Sequence, residues 1–418
     1  MRPELSPREA VEHYLERIEG HADLNAFISV REEALDEADA APPGPLHGQP
    51  IAVKDVIDVA GTRTTCASKI LAENVARRDA TVVSRLRRAG AVIIGKTNTH
   101  EFAFGATTTS PHFGPARNPY DHERIAGGSS GGSGVAAAAD LAAGTLGTDT
   151  AGSVRIPACF CGVVGHRPTA GLVPTDGVVP TSWSLDTVGP IARTAEECAL
   201  LLEVIAEQPM PVEPRGGLRV GLVTELFERA EPEIAELAEE AARHLGDTEP
   251  VVSPLLDDAG VIQQLIMLPE ATTAHLPWLR TRLADYGPDV RARLLAGLLL
   301  PSTAYPTGLR ARRWYLQELD PLLARYDLLA APSMPTVPPR LDDDPVPYRR
   351  GLIPFNSPWS LAGLPTASVP CGFVEELPAG LALIGRPGED AAVLSAAHAI
   401  GAARQDVVYK PQSVLKEG

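Results

Sequence analysis

The run Gly127-Gly128-Ser129-Ser130-Gly131-Gly132-Ser133-Gly134 limits the fold of this chain more than any other feature. A flexible glycine-serine linker would look similar. Its context is wrong for that, because strongly apolar sequence flanks the run and Val135 to Ala139 reads as a helix starting directly out of it. A phosphate-binding loop needs G-x-x-x-x-G-K-[ST], and no lysine follows here. A nucleophile elbow needs G-x-S-x-G after a strand. That spacing occurs at Gly127-Gly128-Ser129-Ser130-Gly131 and again at Gly128-Ser129-Ser130-Gly131-Gly132, but the elbow also needs a strand just before the serine, and Glu123-Arg124-Ile125-Ala126 is a poor one.

The lysines add a second constraint. Of 37 basic residues only five are lysines: Lys54, Lys69, Lys96, Lys410 and Lys416. Arginine does not lose its proton in a protein, whereas a desolvated lysine does. A lysine in so arginine-biased a chain marks a place where arginine will not serve. Lys54 is the strongest case, since it ends the apolar run Ile51-Ala52-Val53, and Lys96 follows a second such run. A serine hydroxyl is a poor nucleophile until a base removes its proton. Lys54, Ser129 and Ser153, the last closing Gly147-Thr148-Asp149-Thr150-Ala151-Gly152-Ser153, together suggest acyl transfer.

The bulk numbers exclude several classes. With 418 residues, 44% hydrophobic and 22% charged, the chain has the make-up of a globular protein with a large core. A net charge of −16 speaks against nucleic acid as a direct partner. Five cysteines suggest no disulfide framework, and Cys159-x-Cys161 has no second pair to complete a zinc site. No metal or cofactor is expected. The start lacks an apolar signal segment, and no apolar stretch reaches the roughly 20 residues of a membrane helix. A cytoplasmic enzyme is the expectation.

Strands and helices alternate at both ends around a more helical middle. Ser6-Pro7-Arg8-Glu9 is a capping box that opens a helix. Helices are expected over Arg31 to Ala40, Thr81 to Ala89 and Pro232 to Leu245, and mostly over 260 to 330. Strands are expected at Ile51 to Lys54, Ala91 to Ile94, Leu218 to Val223, Ala367 to Pro370 and Leu381 to Ile384. Proline-rich breaks cover Pro209 to Pro214 and Pro332 to Pro347. This pattern predicts an α/β fold in one domain, 1–418, with a core from 1–208 and 348–410 and a helical insertion over about 209–347.

The segment Ile125 to Pro157 resembles the amidase signature family. The likeness rests on the glycine-serine run and on Leu146-Gly147-Thr148-Asp149-Thr150-Ala151-Gly152-Ser153-Val154-Arg155-Ile156-Pro157. It extends through Pro50 to Asp55, Thr64 to Lys69, Gly95 to Asn98, Phe160 to Gly165 and Leu185 to Pro190, and returns at Leu361 to Pro370 and Leu383 to Pro387. The resemblance implies a central mixed β-sheet with helices on both faces, and amide hydrolysis by a Ser-Ser-Lys triad. Ser153 would be the nucleophile, Ser129 the bridging serine on a cis peptide, and Lys54 the base. Backbone N–H groups of Thr150, Ala151, Gly152 and Ser153 would form the oxyanion hole. Ala151 stands where many members carry glycine. Gly128, Ser130 and Trp183 are expected to contact substrate. Phe104 and Trp359 would line the pocket or pack in the core, and Asp149 and Arg155 would hold the loop.

The N-terminal half is similar to the glutaminase component of tRNA-dependent amidotransferases, notably over Thr64 to Leu71 and Asp79 to Asn98. Such a component hydrolyses glutamine for a partner and holds it with an arginine and an aspartate. Arg293 matches the arginine, but the aspartate's position falls near Ile353 with no acid there. An unpaired buried ammonium is costly. The expectation is therefore a stand-alone amidase on a small carboxamide, with a biosynthetic acyltransferase and the glutamine-hydrolysing subunit as alternatives. A small amide is the expected partner, with no nucleic acid and no membrane, and the sequence leaves room for a homodimer.

Overall fold

Pro50–Lys54, Val92–Thr97, Gly144–Asp149 and Thr187–Ala192 are buried at every position. Strands without an exposed face must be covered on both sides, so they form the centre of a layered α/β molecule. The computed structural model describes residues 5–213 and 215–403. Lys410 and Lys416, and the end of the expected core segment 348–410, lie outside them.

Eleven strands form one mixed sheet. In spatial order they are Phe27–Val30, Val92–Thr97, Pro50–Lys54, Gly144–Asp149, Thr187–Ala192, Val164–Arg167, Thr366–Val374, Leu377–Ile384, Leu328–Pro332, Leu218–Val223 and Gly246–Val251. Val92–Thr97, Pro50–Lys54 and Gly144–Asp149 run parallel. So do Leu328–Pro332, Leu218–Val223 and Gly246–Val251 at the far end, while the strands between pair antiparallel. One contiguous hydrophobic core runs from Val11 in the first helix to Ile400 in the last.

The first helix, Pro7–Gly20, begins at Ser6 with the expected capping box. The second is shorter than its apolar pattern, Ala34–Asp39. Residues 209–347 differ from a helical insertion. They supply Leu218–Val223, Gly246–Val251 and Leu328–Pro332 to the sheet, alongside the helices Leu256–Thr281, Pro288–Leu298 and Ala304–Arg325. The break expected over Pro332 to Pro347 ends early, because Asp344 caps a helix at Pro345–Ala362 with proline at its first position.

The glycine-serine run also differs from a loop. Gly131–Ala138 is itself the helix. Its glycines are set by contact: a Cβ on Gly132 would lie 2.4 Å from the Asn98 nitrogen, and one on Gly131 2.5 Å from Thr108 Oγ1. Close approach of backbone outweighs the poor helix propensity of glycine.

Candidate active site

Three chain segments meet beside the central parallel strands. Lys54 closes the strand Pro50–Lys54 and is fully buried. Its Nζ lies 2.7 Å from Ser129 Oγ and 2.8 Å from Thr148 Oγ1. Burial lowers the Lys54 pKa from 10.5 to about 7, even though Asp149 and Asp186 pull it the other way. An amine in that range has its lone pair available near neutral pH.

Ser129 follows a cis peptide from Gly128. A Cβ at Gly128 would sit 2.6 Å from the Thr107 nitrogen, so the segment fits only with glycine there. The Ser129 carbonyl accepts from His100 N at 3.0 Å, Thr99 Oγ1 at 2.9 Å and Thr108 Oγ1 at 3.2 Å. Those bonds leave the side chain facing Lys54. Ser130 N donates to the Ser153 carbonyl at 3.2 Å, which draws the segment carrying Ser129 against the turn carrying Ser153.

That turn leaves the strand Gly144–Asp149 and enters the helix Arg155–Phe160. Asp149 organises it. Its carboxylate accepts from Gly152 N at 2.8 Å, Val154 N at 3.1 Å, Arg155 Nε at 3.0 Å and Arg167 Nη1 at 3.0 Å. Burial alone would raise the Asp149 pKa, but Arg155 and Arg167 hold it well below the usual carboxylate range. Gly152 adopts φ +117°, in the region that favours glycine.

Of the four amides expected as oxyanion donors, Gly152 must be withdrawn, since its N–H is already given to Asp149. The N–H groups of Thr150, Ala151 and Ser153 donate to no protein group among the described residues. Asp186 accepts from Thr150 Oγ1 at 2.5 Å and from the Thr181 and Ser182 nitrogens, each at 2.9 Å. Burial nevertheless raises its pKa to about 6.

Ser153, Thr150, Ala151 and Gly128 line a cavity of about 280 Å³, with Phe104, Gln263, Arg293, Arg349 and Ile353 on its other walls. The Arg293 guanidinium lies over the Phe104 ring at 5.2 Å. Arg293 and Arg349 both pair with Asp289, at 2.7 and 2.5 Å.

Two expected substrate contacts are elsewhere. Ser130 is buried under the turn, its hydroxyl between the Thr148 carbonyl and nitrogen at 3.2 and 3.3 Å. Trp183 is 51% exposed and borders a separate depression with Glu270 and Tyr305. A large aromatic on a surface turn is drawn to the nearest apolar rim, and here that rim is not the one beside Ser153. Trp359 is fully buried in the core. Lys96 forms a buried pair with Asp55 at 3.0 Å and so anchors the residue after Lys54. Gln263 and Arg349 carry no sequence signal, because only the tertiary fold brings them to this site, while Thr148 and Asp186 lie in segments of the family likeness where no role was expected of them. Among the described residues, no group of three or more His, Cys, Asp or Glu side chains is placed to hold a metal ion.

The model of the family described as Amidase matches residues 9–394. A glutamyl-tRNA(Gln) amidotransferase subunit of Moorella thermoacetica is 39% identical over 458 residues, which cover 95% of this chain and 93% of that protein. Among solved structures, one described as an amidase superposes with a TM-score of 0.90 at 34% identity, covering 96% of each chain. The structure of the corresponding glutamyl-tRNA(Gln) amidotransferase subunit from Thermotoga maritima superposes with a TM-score of 0.82 at 37% identity, covering 94% of this chain and 91% of that one.

Proposed function

This chain belongs to the amidase family and is an enzyme that acts on amide C–N bonds; we propose that it hydrolyses a small carboxamide through an acyl-enzyme on Ser153. Neutral Lys54 accepts the Ser129 hydroxyl proton while Ser129 takes that of Ser153, and Ser153 Oγ bonds to the amide carbon. The N–H groups of Thr150, Ala151 and Ser153 meet the negative charge that develops on the carbonyl oxygen. The relay returns a proton to the departing nitrogen, the C–N bond breaks, and ammonia or an amine leaves. Water then attacks the ester carbon along the same relay, releasing the carboxylate and free Ser153. The observation that carries this reading is the buried Lys54 Nζ at 2.7 Å from Ser129 Oγ.

A second reading, a glutamine-hydrolysing subunit, draws support from Arg293 in the cavity wall and from the relatives that bear the amidotransferase name. Against it, the cavity lining contains two arginines and no carboxylate among the described residues, with Ile353 where an acid would be needed. Glutamine's ammonium would be buried there unpaired. All five cysteines are buried and none is in a disulfide, which supports a reducing, cytoplasmic setting. Ammonia release from a panel of aliphatic and aryl carboxamides, with glutamine alongside, separates the two. The stand-alone reading expects several simple amides to outperform glutamine, and a strong preference for glutamine would reverse it.

A further inference from the structure

A carboxamide brings two kinds of group into an active site: a carbonyl oxygen, and N–H groups that need an acceptor. The turn at 150–153 offers donors. Gln263 offers an acceptor. It lies on the helix Leu256–Thr281, is fully buried, and lines the cavity together with Thr150 and Ser153. Its Nε2 donates to the Thr150 carbonyl at 3.0 Å. That bond fixes which way the side-chain amide faces, since the flipped form would set oxygen against oxygen. Oε1 is left buried with no hydrogen-bond partner. Native proteins rarely leave a buried acceptor unmet, and one beside a cavity is met by ordered water or by what binds there.

We propose that Gln263 Oε1 accepts an N–H of the scissile carboxamide, which makes the site selective for amides whose nitrogen carries hydrogen over esters of the same acyl group. The inference rests on the Ser153 acyl-enzyme reading. Gln263 touches the substrate nitrogen and is itself oriented by the turn that receives the substrate oxygen, so one side chain couples recognition of both ends of the amide. A site built to hydrogen-bond a group discriminates strongly against an analogue that lacks it.

The test is Gln263→Met, which keeps side-chain length and removes the acceptor. Three rates are compared with wild type: kcat/KM for the carboxamide that wild type hydrolyses fastest, kcat/KM for the methyl ester of the same acid, and phosphonylation of Ser153 by a fluorophosphonate probe. The ester and the probe offer no N–H. The expected result is a loss of about 10- to 100-fold on the amide, with the ester and probe rates changed less than about threefold. Equal losses on all three would mean that Gln263 only supports the turn, and no loss on any would mean that it contacts nothing; either overturns the proposal. If Gln263→Met does not fold, Gln263→Leu carries the same comparison. Wild-type protein that neither hydrolyses an amide nor is labelled at Ser153 would instead overturn the acyl-enzyme reading.

Discussion

Replacing Lys54 by arginine tests the demand for a neutral base at this site. Burial brings the Lys54 pKa from 10.5 to about 7. At pH 7 about half of the molecules then hold a free amine, against about one in three thousand for an unperturbed lysine. Wild-type kcat/KM, measured as the initial rate of ammonia release, should therefore rise about tenfold between pH 6 and pH 8 and level off above. Lys54→Arg keeps the positive charge but cannot give up its proton. Its activity should fall by about 10³-fold, in the range typical for loss of a general base, and the limb near pH 7 should vanish.

The lowered pKa has a stability consequence. Below pH 7 native and unfolded chains both carry the Lys54 proton, and the native state bears the full cost of a buried ammonium. Between about 7 and 10.5 the unfolded state holds the proton and the native state does not. Stability therefore rises across that window, by about 1.4 kcal/mol for each step of one in pH. Lys54→Met, which removes the charge, should accordingly be inactive yet more resistant to urea than wild type at pH 6. A flat pH profile between 6 and 8, or Lys54→Arg within about threefold of wild type, would rule out a neutral lysine as the base.

Asp149→Asn should lower stability by about 3–5 kcal/mol in urea denaturation, because Arg155 and Arg167 would stay buried without their carboxylate. The Asp149 pKa lies below its unfolded value, so its contribution is complete above about pH 4 and is lost as pH falls further; the variant should show a shallower acid limb than wild type. Gly152→Ala should lower kcat at least about tenfold and depress the melting temperature, at a cost of about 1–3 kcal/mol. The residue has φ +117°, and an added Cβ would lie 2.5 Å from Asn356 Oδ1. A Gly152→Ala protein with wild-type kcat and melting temperature would show that the turn is not set by that contact.

Much of the site was legible because its chemistry is written in rare residues. Lys54 stood out against the arginine bias, and Ser129 and Ser153 stood out in their glycine settings. What the sequence could not show depends on long-range packing. In the helix Gly131–Ala138 glycine is required at three positions because Thr108, Asn98 and Pro157 lie too close for a Cβ, and nothing local announces those neighbours. Gly246–Val251 is a polar edge strand, GDTEPV, without the alternation that marks a half-buried one. Leu328–Pro332 is a short apolar run that period alone does not separate from the preceding helix. Pro345–Ala362 hid behind its prolines, which read as breaks although one starts the helix. Gln263 sits beside Gln264 in an otherwise apolar stretch with no motif, and it matters only because its side chain reaches the Thr150 carbonyl.

The whole mechanism requires that the acyl group rest on Ser153. Intact and peptide mass spectrometry after treatment with a fluorophosphonate probe examines that requirement without needing to know the substrate. The expected result is one adduct per chain, mapped to Ser153, abolished by Ser153→Ala and strongly slowed by Ser129→Ala and Lys54→Arg. An adduct on Ser129 or on another residue, with Ser153 unmodified, would contradict it.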